Sequence, residues 1–406
     1  MSPFSDGAYA LRCRVCEDVT EPEPLETCRR CDGATDIAYD WEHLRGNVTP
    51  ATIAAGPSSL WRYEALLPTR SHAGVPAGWT PLERNDSLSE LLGVELLLKL
   101  EGANPTGSYK DRIASVAVAA AREYGFSTLC CSSTGNLGDA VSAAAAATGL
   151  EAMVLAPASV GAGTVAARHP GARVFAIEGT YDDCRRLELE LGALFPWGFV
   201  SGNLHPYASE GAKTISFEIA EQLGWELPDA VVCPAASGTL LSKLAQGFSE
   251  LTRAGLSRKP EPRLIAGQSE GSSPIADAFA ADRGISRVEA VTDVPSLSVG
   301  NPSHGDLALG AARASGGAVH AVSDAAISAH TALLTETAGI DVDCAGGAAF
   351  GALAEAIRRG EVERGSRVVL VLTGSLPRDV DQPVGEVTGA LEPDANRILA
   401  ALGLGS

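Results

Sequence analysis

LEGANPTGSYKDRIAS, residues 100–115, puts a turn, a single lysine and a helix start into sixteen positions. The apolar run VELLLKL just before it reads as a buried strand, and Pro105 and Gly107 read as a turn. From Asp111 to about Tyr124 the alanine-rich pattern predicts a helix. Lys110 therefore leaves a turn at a helix N-terminus, where the positive end of the dipole and burial both disfavour an ammonium. That makes it a candidate nucleophilic amine. A surface lysine at a helix start fits the same residues, so other loops must decide.

Outward from this stretch, short apolar runs alternate with helical patterns. TLCCSST leads into LGDAVSAAAAATG, and EAMVLAP and RVFAIEG follow. In the second half AVVCPA, RLIAG, AVHAVS and RVVLVLTG are buried-strand candidates expected to share one sheet, separated by helices such as KTISFEIAEQLG and AISAHTALLTETAG. This rhythm predicts parallel α/β architecture. No fixed-period repeat is visible, and the tail after Asp379 ends in a short amphipathic helix expected on the large domain or on a second subunit.

Ligands of open α/β sheets sit beyond the carboxyl ends of strands, where helix N-termini point N–H groups at anions. Three loops have that position: SSTGN (Ser132 to Asn136), a cradle for a carboxylate; PAASGTLL (Pro234 to Leu241), whose Ser237, Gly238 and Thr239 can face a phosphate; and LTGS, with the hydroxyls of Thr373 and Ser375. Each alone is also what any strand-to-helix turn uses for capping. With Lys110 they form a constellation. Among the histidines, His205 and His304 are expected in solvent-exposed loops and His320 in a strand.

The chain has 406 residues, 45% of them hydrophobic, enough for two cores and an appendage. A net charge of −19 argues against nucleic-acid and anionic-membrane partners, and no apolar run approaches the roughly 20 residues of a membrane span. A cytoplasmic protein is expected. Four of nine cysteines, Cys13, Cys16, Cys28 and Cys31, form two CxxC pairs suited to one structural zinc ion; a reduced or disulfide-linked segment without metal is the alternative.

NPTGSYKDR with STGN, together with SLWRYEALLP, GWTPL, EGAKTISFEIAEQLGW, GNP at 300–302 and VLVLTGS, resembles the threonine synthase branch of the fold type II pyridoxal-phosphate enzymes, relatives of tryptophan synthase β subunits and cysteate synthases. The resemblance runs from about Cys13 to Asp379. It implies two open parallel-sheet α/β domains with a small N-terminal zinc-ribbon-like segment. The expected division is 1–40 for that segment, 41–125 with 206–406 for the large cofactor-binding domain, and 126–205 for a smaller mobile one. By position, Lys110 looks like the lysine that binds pyridoxal 5′-phosphate covalently, with Tyr109 beside the ring. Asn136 is placed like the asparagine that bonds the cofactor's 3-hydroxyl. Ser133, Thr134 and Gly135 resemble the substrate-carboxylate loop, and Ala236, Ser237, Gly238 and Thr239 the cofactor-phosphate loop. Thr373 stands where a hydroxyl faces the pyridine nitrogen, which favours elimination or replacement over transamination. A homodimer is implied as well.

Several positions depart from the family pattern. Ala208 stands where threonine synthases carry an arginine for the substrate's phosphate; the phosphate loop GNAGN reads AASGT; an EPASA-like stretch reads DCAGG (Asp343 to Gly347); and TGHGLKD reads TGSLPRD. The expected function is thus β- or γ-elimination or replacement on an amino acid, threonine synthase-like with a changed substrate. The alternatives are a cysteate synthase-like β-replacement on phosphoserine, a serine or threonine dehydratase, and a non-catalytic protein on the same scaffold.

Overall fold

The computed structural model describes residues 9–69, 71–160, 169–257, 260–375 and 385–404. Its strands in chain order are β1 (Tyr9–Cys13), β2 (Val19–Thr20), β3 (Thr35–Tyr39), β4 (Leu82–Arg84), β5 (Glu95–Leu100), β6 (Thr128–Ser132), β7 (Glu151–Pro157), β8 (Ala172–Ile177), β9 (Gly198–Phe199), β10 (Ala230–Pro234), β11 (Arg263–Ser269), β12 (Ala318–Val322), β13 (Arg367–Leu372) and β14 (Glu386–Val387). The helices used below are α1 (Lys110–Glu123), α2 (Asn136–Thr148), α3 (Tyr181–Gly192), α4 (Glu210–Gln222), α5 (Thr239–Ala254), α6 (Gly305–Ala314), α7 (Asp324–Ala338), α8 (Cys344–Arg358) and α9 (Ala395–Ala401).

Two compact units divide the chain: Met1–Ala77, Lys110–Gly211 and Arg378–Ser406 form one, Gly78–Tyr109 and Ala212–Pro377 the other. Residues 41–77 and 110–125 thus group by compactness with the first unit, whereas the sequence expectation places them in the large domain.

The first unit holds a five-stranded parallel sheet of order β14-β8-β7-β6-β9 and an antiparallel three-stranded sheet, β2-β1-β3. Strand β6 is buried at every position, as a strand covered on both faces must be. Cys130, Leu155, Phe175 and Ile177 meet Cys184, Leu187 and Leu191 of α3 in the core. Ile398 of α9 is buried in that same cluster, so the tail helix packs on the core of the first unit. Helices α1 and α2 also pack together, and both are rich in buried alanine, 0% exposed at Ala117, Ala120, Ala140 and Ala144.

The second unit holds a six-stranded sheet, β12-β11-β10-β13-β5-β4, parallel except for the β4–β5 pair. The four late runs read as strands do share it, and His320 lies on β12, its Nε2 2.7 Å from Glu361. Leu96, Leu98, Val232, Ile265, Val368 and Leu370 pack beneath Phe350 and Leu353 of α8. Asp343 starts α8 by accepting the Gly346 N–H at 3.1 Å.

Two histidine expectations need correction. His304 is only 5% exposed because its backbone is built into a turn: its N–H donates to Ser237 O at 2.8 Å and its carbonyl accepts from Ala308 N at 2.9 Å. His205 is half-buried as the first residue of the short helix His205–Ala208. The Leu376–Asp379 part of the TGSLPRD departure lies outside the described residues.

Candidate active site

In the first unit the loop after β6 runs Ser133-Thr134-Gly135 into α2, whose first residue is Asn136. Gly135 has φ 152° and ψ −94°, and a Cβ there would meet nothing within 4 Å, so backbone conformation is the reason for glycine. Ser133 serves the loop internally. Its Oγ accepts the N–H groups of Gly135 at 3.0 Å and Gly138 at 2.8 Å, closing the turn. Thr134 and Asn136 are half-buried, and neither side chain has a hydrogen bond among the described residues. Gly135 supplies no capping side chain and Ser133 takes the Gly138 N–H, so of the first-turn amides of α2 those of Asn136 and Leu137 are left for an anion among the described residues.

Lys110 is the half-buried first residue of α1. Every residue of that helix from Asp111 to Ala121 is buried, which fixes its start. At the neighbouring segment a Cβ on Gly211 would lie 2.1 Å from the Arg112 carbonyl oxygen, so only glycine allows this approach.

The approach to Lys110 belongs to the second unit. There Tyr109 N–H donates to Thr373 O at 3.0 Å, Ser108 bridges Gly374, and Ser375 N–H donates to Gly107 O at 2.9 Å. Residues 107–109 are thereby zipped to the end of β13. Gly107, at φ +86°, has the left-handed backbone that favours glycine, and a Cβ there would also sit 2.7 Å from Ser375 Oγ. Thr373 is 4% exposed, and its hydroxyl has no partner among the described residues. Asp343 N–H donates to Gly374 O at 3.1 Å, tying the DCAGG stretch to the same loop. Burial pushes the Asp343 carboxyl up to about 6 against the amide bonds that pull it down.

Also in the second unit, the loop after β10 passes through Ala235, Ala236 and Ser237 to Gly238, the N-cap of the sixteen-residue helix α5. Gly238 has φ +85° and caps with no side chain. Ser237 Oγ and Thr239 Oγ1 lie 3.1 Å apart at the mouth of the helix. A phosphate fits these groups: free first-turn amides, two hydroxyls and a dipole end. The lone hydroxyl of Thr373 fits a polar ring atom, and the primary amine of Lys110 fits an aldehyde.

Four sequence-selected cysteines come together as expected. The sulfur atoms of Cys13, Cys16, Cys28 and Cys31 lie within 4.8 Å of one another, with 3.4 Å between Cys13 and Cys31 and 3.7 Å between Cys16 and Cys28. The Val15 and Arg30 amides donate to Cys13 and Cys28 sulfur at 3.3 and 3.4 Å. Such a set suits a tetrahedral thiolate-bound ion.

Sequence reasoning missed a buried network in the second unit, at the turn that begins with Asn104. Asn104 Nδ2 donates to the backbone and carboxylate of Glu101 at 2.9 Å each, and its Oδ1 accepts Gly78 N–H at 2.9 Å. Glu101 also accepts the Thr80 hydroxyl at 2.7 Å. Lys99 and Glu218, both 0% exposed, pair at 2.7 Å, and Glu218 holds the Trp79 N–H at 2.7 Å. The apolar context of Lys99 in VELLLKL was the available signal.

Comparison with known proteins agrees with this chemistry. The model of the family described as "Pyridoxal-phosphate dependent enzyme" matches residues 75–374. A protein named threonine synthase from Methanosarcina acetivorans is 34% identical over 395 residues, 96% of each chain. One of the same name from Methanocaldococcus jannaschii is 33% identical, covering 92% of this chain and 93% of its own. Among solved structures, maize serine racemase superposes with a TM-score of 0.61 at 22% identity, covering 74% of this chain and 90% of that one. A threonine deaminase from T.th. gives a TM-score of 0.57 at 25% identity, covering 74% and 93%. The family match spans both the Lys110 turn and the Thr373 loop, and the chain belongs to the pyridoxal-phosphate-dependent enzymes.

Proposed function

We propose that the chain is a pyridoxal-phosphate-dependent lyase or synthase that eliminates or replaces a β- or γ-substituent of an amino acid. The observation that carries this reading is Lys110 at the head of a buried helix, directly after a segment zipped to the Thr373 loop. Names borne by the relatives, threonine synthase and threonine deaminase, point the same way. In this assignment Lys110 binds the cofactor covalently with Tyr109 beside the ring. Ala236, Ser237, Gly238 and Thr239 hold its phosphate, Asn136 its 3-hydroxyl and Thr373 its ring nitrogen. Ser133, Thr134 and Gly135 form the loop for the substrate carboxylate, with Ser133 acting by shaping it.

Bound pyridoxal phosphate supplies an electron sink that acidifies the substrate's Cα–H. Lys110 Nζ, once released, takes that proton and can return it. A neutral hydroxyl at Thr373 leaves the ring nitrogen unprotonated and restrains the sink, which favours loss of a leaving group from the side chain. Borohydride treatment of the yellow holoenzyme followed by peptide mass spectrometry should find the adduct on Lys110; an adduct on another residue overturns the assignment.

The substrate is expected to differ from O-phosphohomoserine. Ala208 is 0% exposed and offers a methyl group where the family's phosphate-binding arginine stands, a loss of a few kcal/mol in binding such a group. Threonine release from O-phosphohomoserine at ordinary enzyme efficiency would refute this. The four cysteines hold one structural zinc ion in this reading, and elemental analysis should return one zinc per chain. A cytoplasmic homodimer completes it; sedimentation at the mass of a single 41.7 kDa chain would remove the dimer.

A further inference from the structure

Glu188 is a carboxylate inside the first unit, 1% exposed, on α3. Such a group persists only when its oxygens are bonded and its charge is matched. Its Oε2 accepts the Ser132 N–H at 3.0 Å and the Ser132 hydroxyl at 2.5 Å, and its Oε1 accepts the Ser201 N–H at 3.2 Å. The Arg185 guanidinium lies 3.6 Å from Oε2 and donates to the Ser201 carbonyl. Arg185 also lies 3.6 Å from Glu26 in the cysteine-bearing segment.

Apart from Arg185 and the Ser132 and Ser201 donors, the surroundings of Glu188 are apolar. Leu187 and Leu191 on the same helix are core residues, and the buried thiols of Cys130 and Cys131 are pushed well above their ordinary range by burial first and by the Glu188 charge second. A leucine at 188 would fill the volume but leave the Ser132 and Ser201 N–H groups and the Arg185 guanidinium without this acceptor. What the carboxylate adds is a two-point grip on Ser132. That residue ends β6, and Ser133 begins the candidate carboxylate-binding loop.

We propose that Glu188 is a positioning residue for the Ser133–Asn136 loop, fixing the direction in which the chain leaves β6 so that the loop is formed before the amino acid arrives. The inference rests on the assignment of that loop to substrate binding and deepens it. Pre-organisation lowers the ordering cost of binding, so its loss falls on amino-acid affinity and not on the chemical step or on cofactor loading.

Glu188→Gln keeps the shape but turns an NH2 group toward one of the N–H donors that the carboxylate now satisfies. Ser132→Ala removes only the hydroxyl half of the grip and serves where the first variant folds poorly. The assay titrates holoenzyme with the proteinogenic L-amino acids and O-phosphohomoserine, reads the change in visible absorption, and takes the tightest wild-type binder as probe. Glu188→Gln should weaken that probe about tenfold and Ser132→Ala about threefold, with cofactor content unchanged. Thr134→Ala, in the loop itself, should also weaken it. Unchanged probe binding in both grip variants, with or without a lower melting temperature, overturns the positioning role while a weakened Thr134→Ala keeps the loop assignment. A Thr134→Ala enzyme that binds as wild type, or a wild type that responds to no amino acid, overturns the loop assignment and this inference with it.

Discussion

Gly238→Ala tests the phosphate-loop assignment through the backbone. The built Cβ would lie 2.5 Å from the His304 carbonyl oxygen, 2.8 Å from its carbon and 3.0 Å from Ala308 Cβ. Reaching even 3.0 Å from that oxygen requires the loop and the 300–305 turn to part by about 0.5 Å, and neither neighbour is the tip of a flexible side chain. A left-handed backbone costs a non-glycine residue about 1–2 kcal/mol, and overpacking adds about 1–3 kcal/mol. The sum, about 2–5 kcal/mol, corresponds to a melting temperature lower by about 5–15 °C for a unit of this size. The same displacement breaks the Ser237 O bond to the His304 N–H and shifts the first-turn amides of α5, so cofactor affinity should fall about tenfold or more. Differential scanning fluorimetry of the apoprotein and fluorescence titration with pyridoxal phosphate read the two effects separately. Gly310→Ala is the control: that position is on the exposed face of α6, a Cβ there meets nothing within 4 Å, and stability should rise by up to about 1 kcal/mol. A Gly238→Ala protein with wild-type melting and wild-type cofactor affinity would refute the argument.

Lys99→Met should destabilise the protein by about 3–5 kcal/mol in urea unfolding, because it strands Glu218 as an uncompensated buried charge; Lys99→Met with Glu218→Gln should recover part of that, and a double variant worse than the single one contradicts the charge argument. The Asp343 carboxyl sits near 6 in the folded chain, above its unfolded value near 3.9, so the native state holds its proton more tightly. Its contribution to stability is therefore complete at acid pH and is lost as pH rises from about 4 through about 6. Asp343→Asn, which can still cap α8, should be more stable than wild type at pH 7 by at most about 3 kcal/mol and should flatten that window; melting curves that stay parallel from pH 4 to pH 7 would contradict the assignment.

The parallel sheets were legible because strands covered on both faces are continuous apolar runs, as in TLCCS and RVVLVL, and the helix after Lys110 because its alanines and its preceding turn agree. Glycine spacing marked the two strand-to-helix loops proposed to bind anions for the same local reason. Contacts formed across long stretches of chain left no such mark. Lys99 and Glu218 are 119 residues apart, Glu188 and Ser132 are 56 apart, and in each case only the fold reveals the partner. His304 was misread because a polar residue after Gly-Asn-Pro looks like a solvent turn, whereas its backbone is consumed by Ser237 and Ala308. Ser133 shows a subtler limit: its hydroxyl type and position were legible, but not that two amides would claim its oxygen.

The departures from the family pattern do not all weigh alike. In the proposed phosphate loop, Ala236 and Thr239 replace amide side chains, yet the groups that matter most to an anion there are backbone N–H donors at a helix start, and these survive any change of side chain that preserves Gly238. The DCAGG stretch likewise keeps a carboxylate cap on α8 and a backbone bond to the Thr373 loop. At Ala208 the function belonged to a side chain alone, and a buried methyl group cannot replace five guanidinium donors. Machinery built on main-chain geometry persists through sequence drift while recognition built on one long side chain can be lost in a single step, which is the physical basis of the proposal that this chain keeps the cofactor chemistry with a changed substrate.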